Sequence, residues 1–297
     1  MVKNLSRNYK AIDFYSGIGG WTLGLKFAGI NVTDSYEWWD QANNTHHANL
    51  KNNTHQLDIR KLAIVNLPSK VDIVVGSPPC TQFSYSNRGG SGDIEDGLKD
   101  IKKFLDIVKK LKPKFWAMEN VPRVAKVLQK EILPKGKLYK YRNIISSSMI
   151  EVYDFSEFGL PQKRKRCIAG NFDHELLKSY REKCKFKTLG TVINSFTKRT
   201  VKDCNFNISL SSNALTDNEK EEKLSKEELR FNKSSKTHHA VYNDMSFPDS
   251  FDKPVRTVTA TCTRVSRESV IVRDEKKYRR LTVRERSSLQ GFPISYQ

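Results

Sequence analysis

Gly76-Ser77-Pro78-Pro79-Cys80-Thr81-Gln82-Phe83-Ser84 follows the apolar run Val71-Asp72-Ile73-Val74-Val75. A short apolar run that leads into turn residues predicts a buried parallel strand. The two prolines stiffen the backbone just before a cysteine. Open α/β sheets place their chemistry at the carboxyl ends of strands, and a thiolate is a strong nucleophile near neutral pH. Read alone, the stretch is equally a proline-rich turn with a half-buried structural cysteine. The segments on either side decide between the two.

Upstream, Tyr9-Lys10-Ala11-Ile12-Asp13-Phe14-Tyr15 predicts a first strand. The glycine turn Ser16-Gly17-Ile18-Gly19-Gly20 and a helix from Trp21 to Gly29 follow. Strand, glycine turn and helix let backbone approach a ligand closely. The spacing Gly-x-Gly-Gly differs from the dinucleotide fingerprint, which leaves a nicotinamide oxidoreductase a distant alternative. The next strand, Asn31 to Tyr36, ends at Glu37, placed to accept hydrogen bonds from ribose hydroxyls. Trp38 and Trp39 follow; one could cover an adenine face, or both could be packing aromatics. Asp58, in Gln56-Leu57-Asp58-Ile59, reads as a surface or capping residue.

Downstream, Asn87-Arg88-Gly89-Gly90-Ser91-Gly92-Asp93 is a candidate mobile loop or plain surface slack. Ile101, Phe104, Leu105, Val108 and Leu111 recur at helical spacing. Phe115-Trp116-Ala117-Met118 predicts a strand delivering Glu119-Asn120-Val121-Pro122. Tyr15, Glu37, Cys80 and Glu119 thus all fall at predicted strand ends, which share one rim in a doubly wound sheet. In Gly159-Leu160-Pro161-Gln162-Lys163-Arg164-Lys165-Arg166-Cys167, strand alternation would put Gln162, Arg164 and Arg166 on one face. Two arginines and a glutamine there suit planar polar groups and phosphates; a solvated basic strand edge is the alternative.

From about 171 to 252 the chain turns polar and Lys- and Asn-rich, with a solvated, mixed-charge helix expected over 217–229. Between Lys253 and Arg286, eleven basic residues face four acids. That excess, interleaved with serine and threonine, suits phosphate contact. Thr282 and Glu285 have the spacing of a helix-capping pair.

The 297 residues suffice for one large domain and a smaller one, and the net charge of +19 favours a polyanionic partner, nucleic acid first. No signal-peptide core and no long apolar segment is present, so a cytoplasmic protein with no membrane partner is expected. The five cysteines have no paired metal-ligand spacing, so no metal is expected. His46-His47 and His238-His239 read as surface histidines rather than ligands.

Together these motifs resemble the cytosine-5 DNA methyltransferase family, over residues 9 to 170 and about 253 to 297. Asp13-Phe14-Tyr15-Ser16-Gly17-Ile18-Gly19-Gly20 is similar to its methyl-donor loop, with Tyr15 where the family usually has phenylalanine. Glu37 and Trp38 match its ribose and adenine contacts, and Asp58-Ile59 its adenine-edge contact. Pro78-Pro79-Cys80 matches the nucleophile loop, although Thr81-Gln82 departs from the usual glutamine directly after the cysteine. Glu119-Asn120-Val121 matches the catalytic acid motif. Gln162, Arg164 and Arg166 match the Gln-x-Arg-x-Arg motif. Arg279 to Glu285 and Gly291-Phe292-Pro293 match the penultimate block. The resemblance implies a Rossmann-like α/β S-adenosylmethionine-dependent methyltransferase sheet with a smaller target recognition domain. On that reading, 1–170 is the catalytic and donor-binding domain, 171–252 the target recognition region and 253–297 a basic DNA-binding segment.

What the resemblance implies chemically is a methyl group passed from S-adenosyl-L-methionine to carbon 5 of a flipped cytosine in duplex DNA. Cys80 would attack carbon 6, Glu119 would meet ring nitrogen 3, and Arg164 and Arg166 would hold the base. Asp13, Tyr15, Ser16, Gly17, Gly19, Gly20, Glu37, Trp38, Asp58, Ile59 and Pro79 would serve the donor; Ser84, Asn120 and Gln162 the substrate. The family's final block, beginning with a Gly-Asn pair, does not follow before Gln297. The expectation is therefore a truncated reading frame or the larger part of a split enzyme, with a complementing carboxyl-terminal subunit and weak donor binding alone. A cognate restriction endonuclease is a further family-level expectation. A transfer RNA methyltransferase of the same fold and an inactive DNA-binding subunit are the alternatives.

Overall fold

The computed structural model describes residues 9–83, 93–196, 199–237, 245–260, 262–275 and 277–297. The chain divides into two compact units. The first takes the residues up to Tyr153, then Lys165–Leu177 and Gln297; the second takes Asp154–Arg164 and Lys178–Tyr296.

The first unit is built on a sheet of seven strands among the described residues: β1 Lys10–Phe14, β2 Asn31–Glu37, β3 Asn53–Gln56, β4 Ile73–Gly76, β5 Phe115–Asn120, β6 Ile150–Asp154 and β7 Lys165–Gly170. Their spatial order is β3-β2-β1-β4-β5-β7-β6. Strands β1 to β5 run parallel, and β7 is antiparallel to β5. The chain winds outward from β1 in one direction, then returns to β4 on the other side of β1. That reversal opens the crevice where such sheets bind ligands. The register sets Phe14 opposite both Tyr36 and Gly76, and Gly76 opposite Met118. The carboxyl ends of β1, β2, β4 and β5 therefore share one rim, as the sequence pattern requires.

Helices α1 Gly20–Phe27, α2 Asp40–Leu50, α3 Ile94–Leu111 and α4 Arg123–Glu131 carry the crossovers. The sequence periodicity is legible only from Ile101, whereas α3 starts at Ile94. Asp93 explains the earlier start: its carboxylate accepts from the amides of Glu95 (2.9 Å) and Asp96 (3.1 Å). Such a cap is worth about 1 kcal/mol, and two acids in the first turn complement the helix dipole. The buried face of α3, with Leu98, Ile101, Phe104, Leu105 and Val108, packs into the main core with Phe14, Val74, Trp116 and Met118. Gly76 permits this close packing, since a Cβ there would lie 2.7 Å from the Phe104 ring and 2.8 Å from the Phe14 carbonyl.

Short α5 His174–Ser179 leads into the second unit, which contains α6 Leu189–Ile193, α7 Lys226–Thr237, α8 Val283–Leu289 and two hairpins. The hairpins pair β8 Thr200–Lys202 with β9 Ser209–Ser211, and β10 Ile271–Asp274 with β11 Lys277–Arg280. Leu189, Val192, Val255, Val270, Val272, Leu281 and Leu289 form its core. Here the structure departs from the expected helix over 217–229. Helix α7 begins at Lys226, where the Ser225 amide donates to Glu228 Oε2 (2.8 Å) and the Glu228 amide to Ser225 Oγ (3.2 Å). Acids of the 217–229 run serve as partners for arginines instead. Arg284 pairs with Asp217 (2.8 Å), Arg280 with Glu221, and Arg264 with Glu228.

Candidate active site

The rim of the first unit brings together Tyr15, Glu37, Trp38, Asp58, Ile59, Pro79, Cys80, Glu119 and Asn120 from five strand ends and their loops. Tyr15 follows β1 in the left-handed region (φ 53°), which turns the chain sharply into the glycine loop. Glu37 is buried, and its carboxylate organises that loop. Oε2 accepts from the Gly17 amide (2.9 Å), while Oε1 accepts from the amides of Trp38 (2.9 Å) and Trp39 (3.0 Å). Each carboxylate oxygen can accept more than one hydrogen bond, so Glu37 keeps capacity for a ribose hydroxyl.

Asp13 lies beneath the rim. Its carboxylate is fully buried and accepts from the amide (3.2 Å) and hydroxyl (2.8 Å) of Thr22. Burial raises its pKa to about 7, against the opposing pull of the Thr22 bonds. Asp13 therefore fixes the start of α1 under the glycine loop. Asp13 Oδ1 and Ser16 Oγ are buried without a hydrogen-bond partner among the described residues, and buried polar atoms usually find one.

A cavity of about 480 Å³ opens between the loops, lined by Tyr15, Trp38, Asp58, Ile59, Pro79 and the first turns of α3. This is the size range of small-ligand sites. Its make-up is an exposed indole at Trp38, the buried aliphatic Ile59 and carboxylates, a mixture that suits a nucleoside carrying a cationic tail. Asp58 caps the turn Ile59–Lys61 by accepting from the Arg60 amide (3.0 Å). The capping reading of Asp58 and its place on the cavity wall are thus the same geometry. Sequence reasoning missed Arg60, Asp96 and Asp100, which also line the cavity. The available signal was the i,i+4 spacing of Asp96 and Asp100 on one helix.

The cysteine loop rests on β5. Asn120 is buried, and its Nδ2 donates to the Pro78 carbonyl (3.0 Å) while its Oδ1 accepts from the Val121 amide (2.9 Å). The loop closes with the Phe83 amide donating to the Cys80 carbonyl (2.9 Å). Beside it, Glu119 Oε1 meets Arg166 Nε at 2.8 Å, both side chains partly buried. The antiparallel β5–β7 register sets Glu119 opposite Ile168, one residue pair from Cys167. Cys167 is buried and its thiol is pushed up to about 12 by burial and by Glu119, which marks it as an inert core thiol.

The Gln-x-Arg-x-Arg run does not form one strand face. Strand β7 begins at Lys165, so of the three residues only Arg166 lies in it, within the first unit; Gln162 and Arg164 belong to the second unit. Gln162 is fully buried there, donating to the Leu289 carbonyl (3.1 Å) and accepting from the Val258 amide (3.0 Å). Alternation fails because Gln162 bridges to Val255 instead of extending the strand. His46 also departs from expectation: it is buried, with Nε2 3.0 Å from Asn52 Oδ1. Ser84, the 87–92 segment and His238-His239 lie outside the described residues. Among the described residues no cluster of metal-ligating side chains occurs, and no helix is long and apolar enough to cross a membrane.

Comparison with known proteins identifies the family. The type II methyltransferase M.HindV of Haemophilus influenzae is 31% identical over 163 residues, 53% of this chain and 51% of that protein. The first curated relatives are thus matched over only about half of their length. M.SsoII of Shigella sonnei is 27% identical over 99% of this chain and 73% of its own. A prophage-encoded Escherichia coli protein assigned as a DNA modification methyltransferase shares the fold, with a TM-score of 0.65 at 20% identity over 98% of this chain and 90% of that one. Residues 9–297 match the model of the C-5 cytosine-specific DNA methylases, and the chain belongs to that family.

Proposed function

We propose that this chain methylates carbon 5 of a cytosine in duplex DNA, with S-adenosylmethionine as methyl donor and Cys80 as covalent nucleophile. The observation that carries the reading is the anchoring of the cysteine loop to β5. The 3.0 Å bond from Asn120 to the Pro78 carbonyl ties that loop to the strand holding Glu119 and its partner Arg166. A nucleophile, an acid and a guanidinium on adjoining, rigid elements can act on one planar ring.

Carbon 5 of cytosine is a weak nucleophile until a thiolate adds at carbon 6 and makes the ring an enamine. In this reading Cys80 forms that bond while Glu119 shares a proton with ring nitrogen 3. Arg166 orients Glu119 and balances charge on the base. S-adenosylmethionine supplies the methyl group to carbon 5. Loss of the carbon-5 proton and elimination then release Cys80. The base must leave the helix stack to be reached, so residues of 171–252 are assigned to site recognition. Tyr15, Trp38, Ile59 and Pro79 would embrace the donor's adenine, Glu37 its ribose, and Ser16 with Gly17, Gly19 and Gly20 its amino-acid tail. Modification of the host's DNA in the cytoplasm, in the manner of the type II relatives, is the setting this implies.

The test is transfer of labelled methyl groups to duplex DNA and to transfer RNA, together with covalent capture on duplexes containing 5-fluorocytosine. Capture by the wild-type chain, lost in Cys80→Ser, supports the reading. Capture that persists in Cys80→Ser excludes Cys80, and labelling of transfer RNA alone replaces the DNA substrate with RNA.

A further inference from the structure

Arg60 is half-exposed on the cavity wall, yet its guanidinium is fully committed. Nε donates to Asp100 Oδ1 (2.9 Å) and Nη2 to Asp100 Oδ2 (2.6 Å). Nη1 donates to Asp96 Oδ1 (3.0 Å), one helical turn earlier on α3. Asp100 is 4% exposed, so its carboxylate depends on such a partner. The same Asp100 Oδ1 accepts from the Tyr15 hydroxyl (3.3 Å). Burial and the adjacent Asp100 drive the Tyr15 hydroxyl well above its ordinary pKa, so it remains a donor. Two loops that line the cavity, the one after β1 and the Asp58-capped turn, are thereby fastened to a single helix.

The first turn of that helix is also the abutment of the cysteine loop. The Asp93 amide donates to Gln82 Oε1 (3.0 Å). The buried Phe83 ring lies against Gly97, where an added Cβ would sit 2.5 Å from it. A phenylalanine at position 15 would have no hydroxyl to engage Asp100, so this link depends on the tyrosine. Isolated exposed ion pairs contribute little, but a bidentate arginine with a buried carboxylate fixes geometry that lysine cannot.

We infer that Arg60 is a positioning residue for methyl transfer. By clamping Asp96 and Asp100 it holds Tyr15 and the Asp58–Ile59 turn in place for the donor and sets both against the helix that supports the cysteine loop. This rests on the cavity being the donor site. Titration of S-adenosylhomocysteine into the full chain by calorimetry is the experiment, with Arg60→Met, Arg60→Lys, Asp100→Asn, Tyr15→Phe and the Arg60→Met/Asp100→Asn double variant. Arg60→Met is expected to weaken binding about tenfold, Arg60→Lys to restore little of it, and Tyr15→Phe to weaken it about two- to threefold. The double variant should bind within about threefold of Arg60→Met, because both changes break one network. In turnover assays the donor KM should rise while the KM for DNA does not.

Equal affinity of wild type and Arg60→Met, or strictly additive losses in the double variant, overturns the inference and leaves the donor site standing. Absence of binding by the wild-type chain overturns the donor site and the inference with it. Circular dichroism verifies folding; if Arg60→Met does not fold, wild-type affinity in both Arg60→Lys and Tyr15→Phe overturns the inference, and loss in both supports it.

Discussion

Replacing the Cys80 sulfur by oxygen is the smallest change that separates a nucleophile from a structural turn. Cys80→Ser is expected to lower methyl transfer at least about 10³-fold while shifting the melting temperature little, since Cys80 is only partly buried. Asp13 makes a second prediction at this scale. Its pKa is raised from 3.8 to about 7, so between those values the folded chain binds a proton that the unfolded chain has lost. Its contribution is complete below the unfolded value and is lost as pH rises through the folded one. The wild-type urea midpoint should therefore fall between about pH 4 and 7, with an upper bound of about 4 kcal/mol from this group. Asp13→Asn should flatten that fall. Tyr15, Glu37, Cys80 and Glu119 were legible because each falls at or just past the end of a predicted strand, and strand ends of one winding meet on one rim. Arg60 was not legible: its two carboxylates lie 36 and 40 residues away, and nothing local distinguishes it from a solvated arginine.

Among the elements, α8 matches its sequence signature in full. Thr282 accepts from the Glu285 amide (3.1 Å), and the Thr282 amide donates to Glu285 Oε2 (2.9 Å). Glu285 is in addition gripped by both Arg279 terminal nitrogens at 2.8 Å, with both side chains buried. Thr282→Ala should cost about 1 kcal/mol, whereas Glu285→Gln should cost more, about 2 to 3 kcal/mol, because the buried Arg279 guanidinium loses one of its two carboxylates and keeps only Asp274 at 2.8 Å. Chemical denaturation of the two variants compares them directly. The same reasoning explains the two element-level departures. The 217–229 run has the composition of a solvated helix, but its acids are drawn to distant arginines. The alternation at 162–166 is broken because Gln162 is buried against Val258 and Leu289, contacts that no local pattern encodes.

At the scale of the molecule, the net charge of +19 already sets each acid against a cation, but the count of basic residues along a segment overstates the free cations a polyanion meets. Of the cations between 253 and 286, Arg256, Arg264, Arg279, Arg280 and Arg284 are held by Asp249, Glu228, Glu285, Glu221 and Asp217. The composition favours a nucleic-acid partner, while the counting of basic residues along the segment does not identify the phosphate contacts. Arg280→Ala should leave the dependence of DNA affinity on salt unchanged. Replacing exposed Lys253 or Lys277 should reduce the slope of log K against log salt by about 0.9 for each phosphate contact removed. Binding isotherms at three or more salt concentrations measure both.

The burial of Gln162 carries a consequence for biosynthesis. Its two partners are supplied by Val258 and Leu289, 96 and 127 residues downstream. A ribosome releases the chain from its amino end, and domains ordinarily fold as they emerge. The seven strands of the first unit are all available once Gly170 has appeared. The second unit must wait with Asp154–Arg164 unmatched until α8 has been synthesised. During that interval its apolar residues Leu189, Val192 and Val255 have no Leu289 to close over them. Nascent chains arrested before residue 280 should therefore expose a protease-resistant first unit followed by a protease-sensitive tail.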